Sequence, residues 1–145
     1  MTDPIRFGVI GIDHRHIYTM AGHLIDAGAQ LAGWFTEGTP PTLPGFEKRF
    51  PGAPRVETPE ALLDDPTIDL ILTAAVPSDR AGIAIRAMEA GKDVLSDKPG
   101  CLTLADLGAL REAVARTGRI WSVDFSERLE VPAVTRAAET GRAGG

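Results

Sequence analysis

The stretch from Ile5 to His16 constrains the fold of this chain more strongly than any later stretch. Residues 7–10 form an apolar run that ends at Gly11, and an amphipathic segment from Ile17 to Ala27 follows the glycine loop. An uninterrupted apolar strand is typical of a sheet that is covered on both faces. A strand, a tight glycine turn and a helix in this order are typical of the start of a nucleotide-binding α/β domain.

Strand-like and helix-like segments then alternate about six times along the chain. The expected strands are 7–10, 31–35, 55–57, 68–75, 93–96 and 120–124. The expected helices are 17–27, 46–50, 58–63, 80–90, 103–117 and 132–140, with Thr58 and Thr103 as caps. Parallel strands need crossovers of this length, and right-handed crossovers produce a doubly wound sheet. We therefore predict an α/β Rossmann fold, with about six parallel strands in the order 3-2-1-4-5-6 and helices on both faces.

The composition favours a single domain over residues 1–145, without a nucleic-acid or membrane partner. The net charge is −5 and no basic run stands out, which argues against nucleic acid. Cys101 is the only cysteine, which excludes an internal disulfide and favours a reducing compartment. No apolar run approaches the roughly 20 residues of a membrane span, and the N-terminus lacks a signal pattern. We expect a soluble cytoplasmic protein.

The predicted sheet places most of the chemically useful side chains on one edge. In a doubly wound sheet the ligand lies beyond the carboxyl ends of the strands, at the switch between the first and fourth strands. Strands one, four, five and six end at the loops 11–16, 75–79, 97–99 and 124–128. We expect these four loops to lie side by side and to form the binding site.

The loop after the first strand is the expected phosphate site. Backbone N–H groups at a helix start attract anions, and His14 and Arg15 add positive charge. The dinucleotide fingerprint Gly-x-Gly-x-x-Gly reads Gly11, Asp13 and His16 here, so only its first glycine is retained. Asp13 has an alternative role as a helix cap, because a carboxylate would repel pyrophosphate. The expected cofactor contacts in this loop are Gly11, Ile12, Asp13, His14, Arg15 and His16.

Two further positions complete the expected cofactor and substrate contacts. Glu37, with its neighbour Thr36, follows the second strand, where an acidic residue accepts hydrogen bonds from the adenosine ribose. No Arg or Lys follows it to hold a 2′-phosphate, which favours NAD over NADP. Lys98 precedes Pro99, which restricts its backbone to an extended shape, and a lysine there can contact a substrate hydroxyl or assist proton transfer. The alternatives are a solvent-facing glutamate and an ordinary surface lysine.

Several motifs of the chain together resemble one oxidoreductase family. Gly8-Val9-Ile10-Gly11 opens the chain, and Gly91-Lys92-Asp93-Val94-Leu95-Ser96-Asp97-Lys98-Pro99 lies in its middle. The second motif is similar to the Gly-Lys-x-Val-x-x-Glu-Lys-Pro signature of the Gfo/Idh/MocA family, with Asp97 in place of Glu. Shorter matches to its fourth strand, its Pro-Asn turn and its sixth-strand exit are Asp69-Leu70-Ile71, Val76-Pro77-Ser78 and Phe125-Ser126-Glu127-Arg128. The likeness covers residues 5–140.

This resemblance implies a hydride-transferring oxidoreductase that uses NAD or NADP and acts on a sugar, cyclitol or related small alcohol. It implies that Lys98 contacts nicotinamide and substrate as the catalytic lysine, and that Val76 and Pro77 lie beneath the nicotinamide. The loop 13–16 departs from the family's glycine pattern, and Arg80 stands where the family has histidine. Family members carry a second domain with further catalytic residues and the oligomer interface, so we expect this chain alone to show little turnover and to form no oligomer.

Two other functional classes share features with this sequence. His14-x-His16 after a first strand is similar to the metal-binding pair of the amidohydrolase barrel. That barrel needs about 250 residues and eight strands, so we expect no metal site. A non-catalytic module that binds a dinucleotide or another small anion shares the fold and the helix start, and this alternative stays open.

Overall fold

The computed structural model describes residues 3–126, 136–137 and 139–140. Within them lie five strands: β1 (Arg6–Ile10), β2 (Gln30–Phe35), β3 (Leu70–Thr73), β4 (Asp93–Asp97) and β5 (Trp121–Asp124). The helices between them are α1 (Ile17–Asp26), α2 (Leu43–Arg49), α3 (Glu60–Leu63), α4 (Arg80–Glu89) and α5 (Leu104–Thr117). The expected last helix, 132–140, falls mostly outside the described residues, as do Glu127 and Arg128. Among the described residues, no helix combines the length and apolarity that crossing a membrane requires.

The sheet is parallel throughout, in the order β2-β1-β3-β4-β5. The prediction of a strand at 55–57 is wrong: this segment makes one parallel bridge, between Arg55 and Trp34, at the free edge of β2. The N–H of Trp34 donates to Pro54 O and that of Val56 donates to Trp34 O. Pro54 has no N–H with which to extend this pairing, and Pro59 begins the turn into α3, so the segment between them is too short to form a strand. The predicted order is thus retained, with its outermost strand reduced to a bridge.

Both faces of the sheet are covered, as the apolar first strand predicts. Phe7 and Val9 of β1 pack with α1 and α2 on one face, while Ile10 packs with α4 and α5 on the other. Each fully buried large side chain contributes about 1.5–3 kcal/mol to stability. The core therefore holds the carboxyl ends of β1, β3 and β4 in fixed positions relative to one another.

The sequence signals for helix ends hold for α5 and fail for α3. Thr103 and Asp106 form a reciprocal capping box at the start of α5, and Gly118 ends the helix at φ 67°. The prediction of Thr58 as the cap of α3 is wrong, because Pro59 is the cap and no side chain bonds the helix start.

Candidate active site

The exits of β1 and β3 approach each other closely because residue 11 is glycine. Gly11 has φ +82°, and a Cβ placed there would lie 2.4 Å from the Cβ of Ala75. The two exits are also bonded: Ala74 N donates to Gly11 O at 3.0 Å, and His14 N donates to Ala74 O at 2.9 Å. The first glycine of the turn is therefore required both by its backbone conformation and by the neighbouring strand.

Two adjoining clefts run along this edge of the sheet. The first, of about 440 Å³, is lined by Gly11 at the end of β1 and Glu37 after β2. The second, of about 330 Å³, is lined by His14 and Lys98. The clefts share three lining residues, which are Asp13, Ala75 and Val76. The predicted juxtaposition of Lys98 and the first loop is therefore confirmed.

The other residues that we expected to contact the cofactor differ in how close they lie to the clefts. Pro77 lines the second cleft with Lys98, as expected. Ile12 is fully buried in the α1 side of the core, so only its backbone can reach a ligand. Thr36 is buried and borders a smaller cleft beside Arg55. Arg15 is exposed and lines neither of the two larger clefts.

The start of α1 is partly closed to an anion by its own loop. The N–H of Ile17 donates to His14 O at 3.1 Å, and that of Tyr18 donates to Arg15 O at 3.2 Å. These are among the groups that a phosphate would use at a helix N-terminus. The alternative role of Asp13 as a cap is wrong, because His16 is the N-cap of α1 and no side-chain cap hydrogen bond forms there. Asp13 instead faces both clefts.

Asp97 and Arg80 form a buried ion pair behind the second cleft. Asp97 is fully buried and Arg80 is 2% exposed, with Arg80 Nη2 donating to Asp97 Oδ2 at 3.1 Å. Burial lowers the pKa of the Arg80 guanidinium from its usual value, and the carboxylates of Asp97 and Asp13 oppose that shift. An arginine keeps its charge through such shifts, so the pair is ionic.

Arg80 also fixes the backbone that carries Lys98. Its Nε donates to Ala75 O at 2.7 Å, which holds the exit of β3. Its Nη1 donates to the carbonyls of Asp97, Lys98 and Pro99 at 3.0, 2.6 and 3.2 Å. One side chain therefore ties the exit of β3 to the exit of β4, which ends in a cis peptide before Pro99.

The two histidines of the first loop converge on the same carboxylate. His16 Nδ1 lies 2.9 Å from Asp97 Oδ1 in hydrogen-bonding geometry. His14 Nδ1 lies 3.1 Å from Asp97 Oδ2, yet this buried nitrogen has no hydrogen-bond partner because the contact is poorly aligned. The two rings meet edge to face, 4.2 Å apart.

Sequence reasoning noticed these residues separately and missed that they touch. Asp97 and Arg80 are the positions where the chain departs from the family's Glu and His, and His14 and His16 lie in the loop that departs from its glycine pattern. The structure joins these departures into a single contact network. The joint occurrence of these departures in one sequence was the signal that could have revealed the network, because one buried carboxylate can accept hydrogen bonds from several new donors.

Comparisons with known proteins agree with a nucleotide-binding Rossmann fold. The model of the family described as "Oxidoreductase family, NAD-binding Rossmann fold" matches residues 5–125. A dehydrogenase of 1-carboxy-3-chloro-3,4-dihydroxycyclohexa-1,5-diene from Comamonas testosteroni is 29% identical over 93% of this chain and 34% of its own length. The scyllo-inositol 2-dehydrogenase (NAD(+)) of Bacillus subtilis is 35% identical over 51% of this chain and 22% of its own length.

Solved structures extend the comparison to the whole fold. A crystal structure from Erwinia carotovora atroseptica has 44% identity and a TM-score of 0.87, covering 97% of this chain and 42% of its own. A second structure, from Yersinia pestis, has 28% identity and a TM-score of 0.82. This chain thus spans well under half the length of these relatives. The chain belongs to the Gfo/Idh/MocA oxidoreductase family, and it corresponds to the NAD-binding Rossmann domain of that family.

Proposed function

We propose that this chain binds NAD across the two clefts, as the cofactor half of a dehydrogenase that acts on a sugar, cyclitol or similar small hydroxy compound. One observation carries the proposal: Glu37 and Lys98 lie in adjoining clefts that share Asp13, Ala75 and Val76. A dinucleotide needs an elongated site of this kind, with a ribose contact in one part and a reacting group in the other.

The first cleft suits the adenosine half of the cofactor. The Glu37 carboxylate would accept hydrogen bonds from ribose hydroxyls and would repel a 2′-phosphate. Arg86 lines the same cleft, but its guanidinium is paired with Glu60. This balance of charge favours NAD over NADP.

The junction of the clefts would hold the pyrophosphate, and the charges there partly offset one another. Gly11 lets the backbone approach the ligand without a side chain. Asp13 opposes an anion, whereas Arg80, which interacts electrostatically with Asp13, favours one. We expect weaker pyrophosphate binding than a loop with three glycines provides.

The second cleft suits the nicotinamide and the substrate. When bound, the cofactor supplies the hydride acceptor. Val76 and Pro77 would support the nicotinamide ring, and the Lys98 ammonium would donate a hydrogen bond to the carboxamide or to the substrate hydroxyl. The curated relatives are about two and a half times as long as this chain, so further substrate contacts would come from outside residues 1–145. We therefore expect little or no turnover from this chain alone.

Calorimetric titration of the chain with NADH, NADPH and ADP-ribose tests the proposal. NADH is expected to bind more tightly than NADPH, and Lys98→Ala is expected to weaken NADH but not ADP-ribose, which lacks nicotinamide. Lys48→Ala, at an exposed lysine of α2, is the matched control. Absence of NADH binding by the parent chain would refute the proposal.

The same titration separates a dehydrogenase from a non-catalytic binding module. A module that recognises only the ADP-ribose portion would bind NADH and ADP-ribose equally, and Lys98→Ala would change neither. That result would remove the nicotinamide half of the proposal.

A further inference from the structure

Three ligand-type side chains meet where the first loop contacts the end of β4. His14, His16 and Asp97 each offer one ligating atom, and these atoms lie within 4.8 Å of one another. We propose that these three residues bind one divalent transition-metal ion of the zinc class. The site can be tested separately from the dinucleotide proposal, because metal binding is measured without a cofactor.

The distances within the cluster suit a common metal ion. Each histidine Nδ1 lies near one oxygen of Asp97, at 2.9 Å for His16 and 3.1 Å for His14. Ligands bound tetrahedrally to zinc at about 2.0–2.1 Å are separated from each other by roughly 3.3 Å. The three ligating atoms lie within 4.8 Å of one another, so the side chains would have to draw together by up to about 1.5 Å to share one ion.

A buried nitrogen of His14 that makes no hydrogen bond is the second observation that points to a ligand. Hydrogen bonding explains the contact between His16 and Asp97, whereas His14 Nδ1 is buried and makes no hydrogen bond, although Asp97 Oδ2 lies 3.1 Å away. Leaving such an atom unsatisfied is unfavourable, and a metal bond would satisfy it. A purely structural role for the cluster leaves this nitrogen without a hydrogen bond.

A metal ion can reach the site from the second cleft, and the ligand atoms determine which class of metal the site would prefer. The His14 side chain is 45% exposed and lines the second cleft, which gives an ion a route of entry. Two imidazoles and one carboxylate suit zinc and similar metals, whereas calcium and magnesium prefer oxygen ligands. Three protein ligands also leave a fourth position for water or for an oxygen atom of a ligand in the cleft.

Arg80 is the feature that weighs against a cation here. Its guanidinium lies 3.1 Å from Asp97 Oδ2 and repels a second positive charge. It also orients the carboxylate, as hydrogen-bond donors commonly do behind ligating carboxylates. Asp13, in the same cleft, adds a compensating negative charge.

Calorimetric titration of the chelator-treated chain with Zn²⁺, without NADH, tests the proposal. We expect one ion per chain in the parent protein and a loss of affinity of at least tenfold in His14→Ala and in His16→Ala. His23→Ala and Cys101→Ser are the matched controls, because His23 is exposed on α1 and Cys101 is the chain's only thiol. Both controls are expected to bind as the parent does.

A second readout separates a specific site from loose surface binding. Co²⁺ bound by these three residues should show visible absorption bands that disappear in His14→Gln, a variant that keeps a polar side chain at the same position. The proposal is overturned if the parent chain binds no Zn²⁺, or if the double variant His14→Ala/His16→Ala binds it as tightly as the parent.

Discussion

The two clefts are built in different ways, although they adjoin each other. The first is shaped by backbone, with Gly11 packed against Ala75 and Glu37 at the end of a strand. The second rests on a buried network of side chains, in which Asp97 contacts Arg80 and two histidines. We therefore expect the shape of the first cleft to tolerate changes of charged side chains, whereas the shape of the second depends on them.

The difference indicates how each region acquires its function. A backbone site is inherited with the fold, because the strand-turn-helix order fixes it. A side-chain network can be altered without changing the fold, and here it coincides with the positions that depart from the family's pattern. We infer that the shape of the first cleft follows from the fold and that the shape of the second follows from its buried side chains.

The largest expected effect comes from breaking the buried pair. Arg80→Met should lower the free energy of unfolding by about 3–5 kcal/mol, because Asp97 would keep a buried charge without its main partner. Urea denaturation measures this loss. NADH affinity should also fall, since the backbone of Lys98 loses its donor. ADP-ribose affinity should fall less, because this ligand lacks nicotinamide and loses only the positive charge of Arg80 near its pyrophosphate.

The control for that variant is a similar pair on the surface. Arg86→Met removes an ion pair with Glu60 in which both side chains are about half exposed. Pairs of that kind contribute about 0–1 kcal/mol. Equal losses from Arg80→Met and Arg86→Met would contradict the contrast between the two regions.

The next largest effect tests the backbone cleft. Gly11→Ala should cost about 1–3 kcal/mol from overlap with Ala75, in addition to about 1–2 kcal/mol for an alanine at positive φ. Gly28→Ala is the matched control, because Gly28 has φ +96° but open space around it. The difference in unfolding free energy between these variants isolates the overlap, and no difference would show that the close approach is unimportant.

The smallest effect is on affinity alone. Glu37→Gln should weaken NADH binding about tenfold, which is roughly 1.4 kcal/mol, because a neutral amide is a poorer acceptor for ribose hydroxyls. NADPH binding should weaken less, since a repulsive charge is removed. Stability should stay unchanged at this exposed position. An unaltered ratio of NADH to NADPH affinity would exclude Glu37 from the ribose site.

Most of the fold could be predicted from local patterns, and the exception has a local cause. The apolar runs at β1 and β3 and the capping box at Thr103 act through their own neighbours, so sequence predicts them. The segment 55–57 has strand-like residues, but prolines on both sides limit it to one bridge.

The sequence predicts where the candidate site lies, but not the network of side-chain contacts within it. The rule that strand ends share one edge brought Lys98 and His14 together correctly. It could not indicate that Arg80 is buried, because an arginine at the start of a helix ordinarily points to solvent. Only tertiary contacts show that Asp97 draws Arg80 and both histidines inward.

The most direct test of the account is a pair of amide ¹H–¹⁵N titrations of this 15.4 kDa chain, one with NADH and one with ADP-ribose. We expect ADP-ribose to shift the amides of Gly11 and Glu37, and NADH to shift these and also that of Lys98. This expectation would be contradicted if NADH left Lys98 unshifted, or if the shifts appeared at the opposite edge of the sheet, around Gly91 and Gly118.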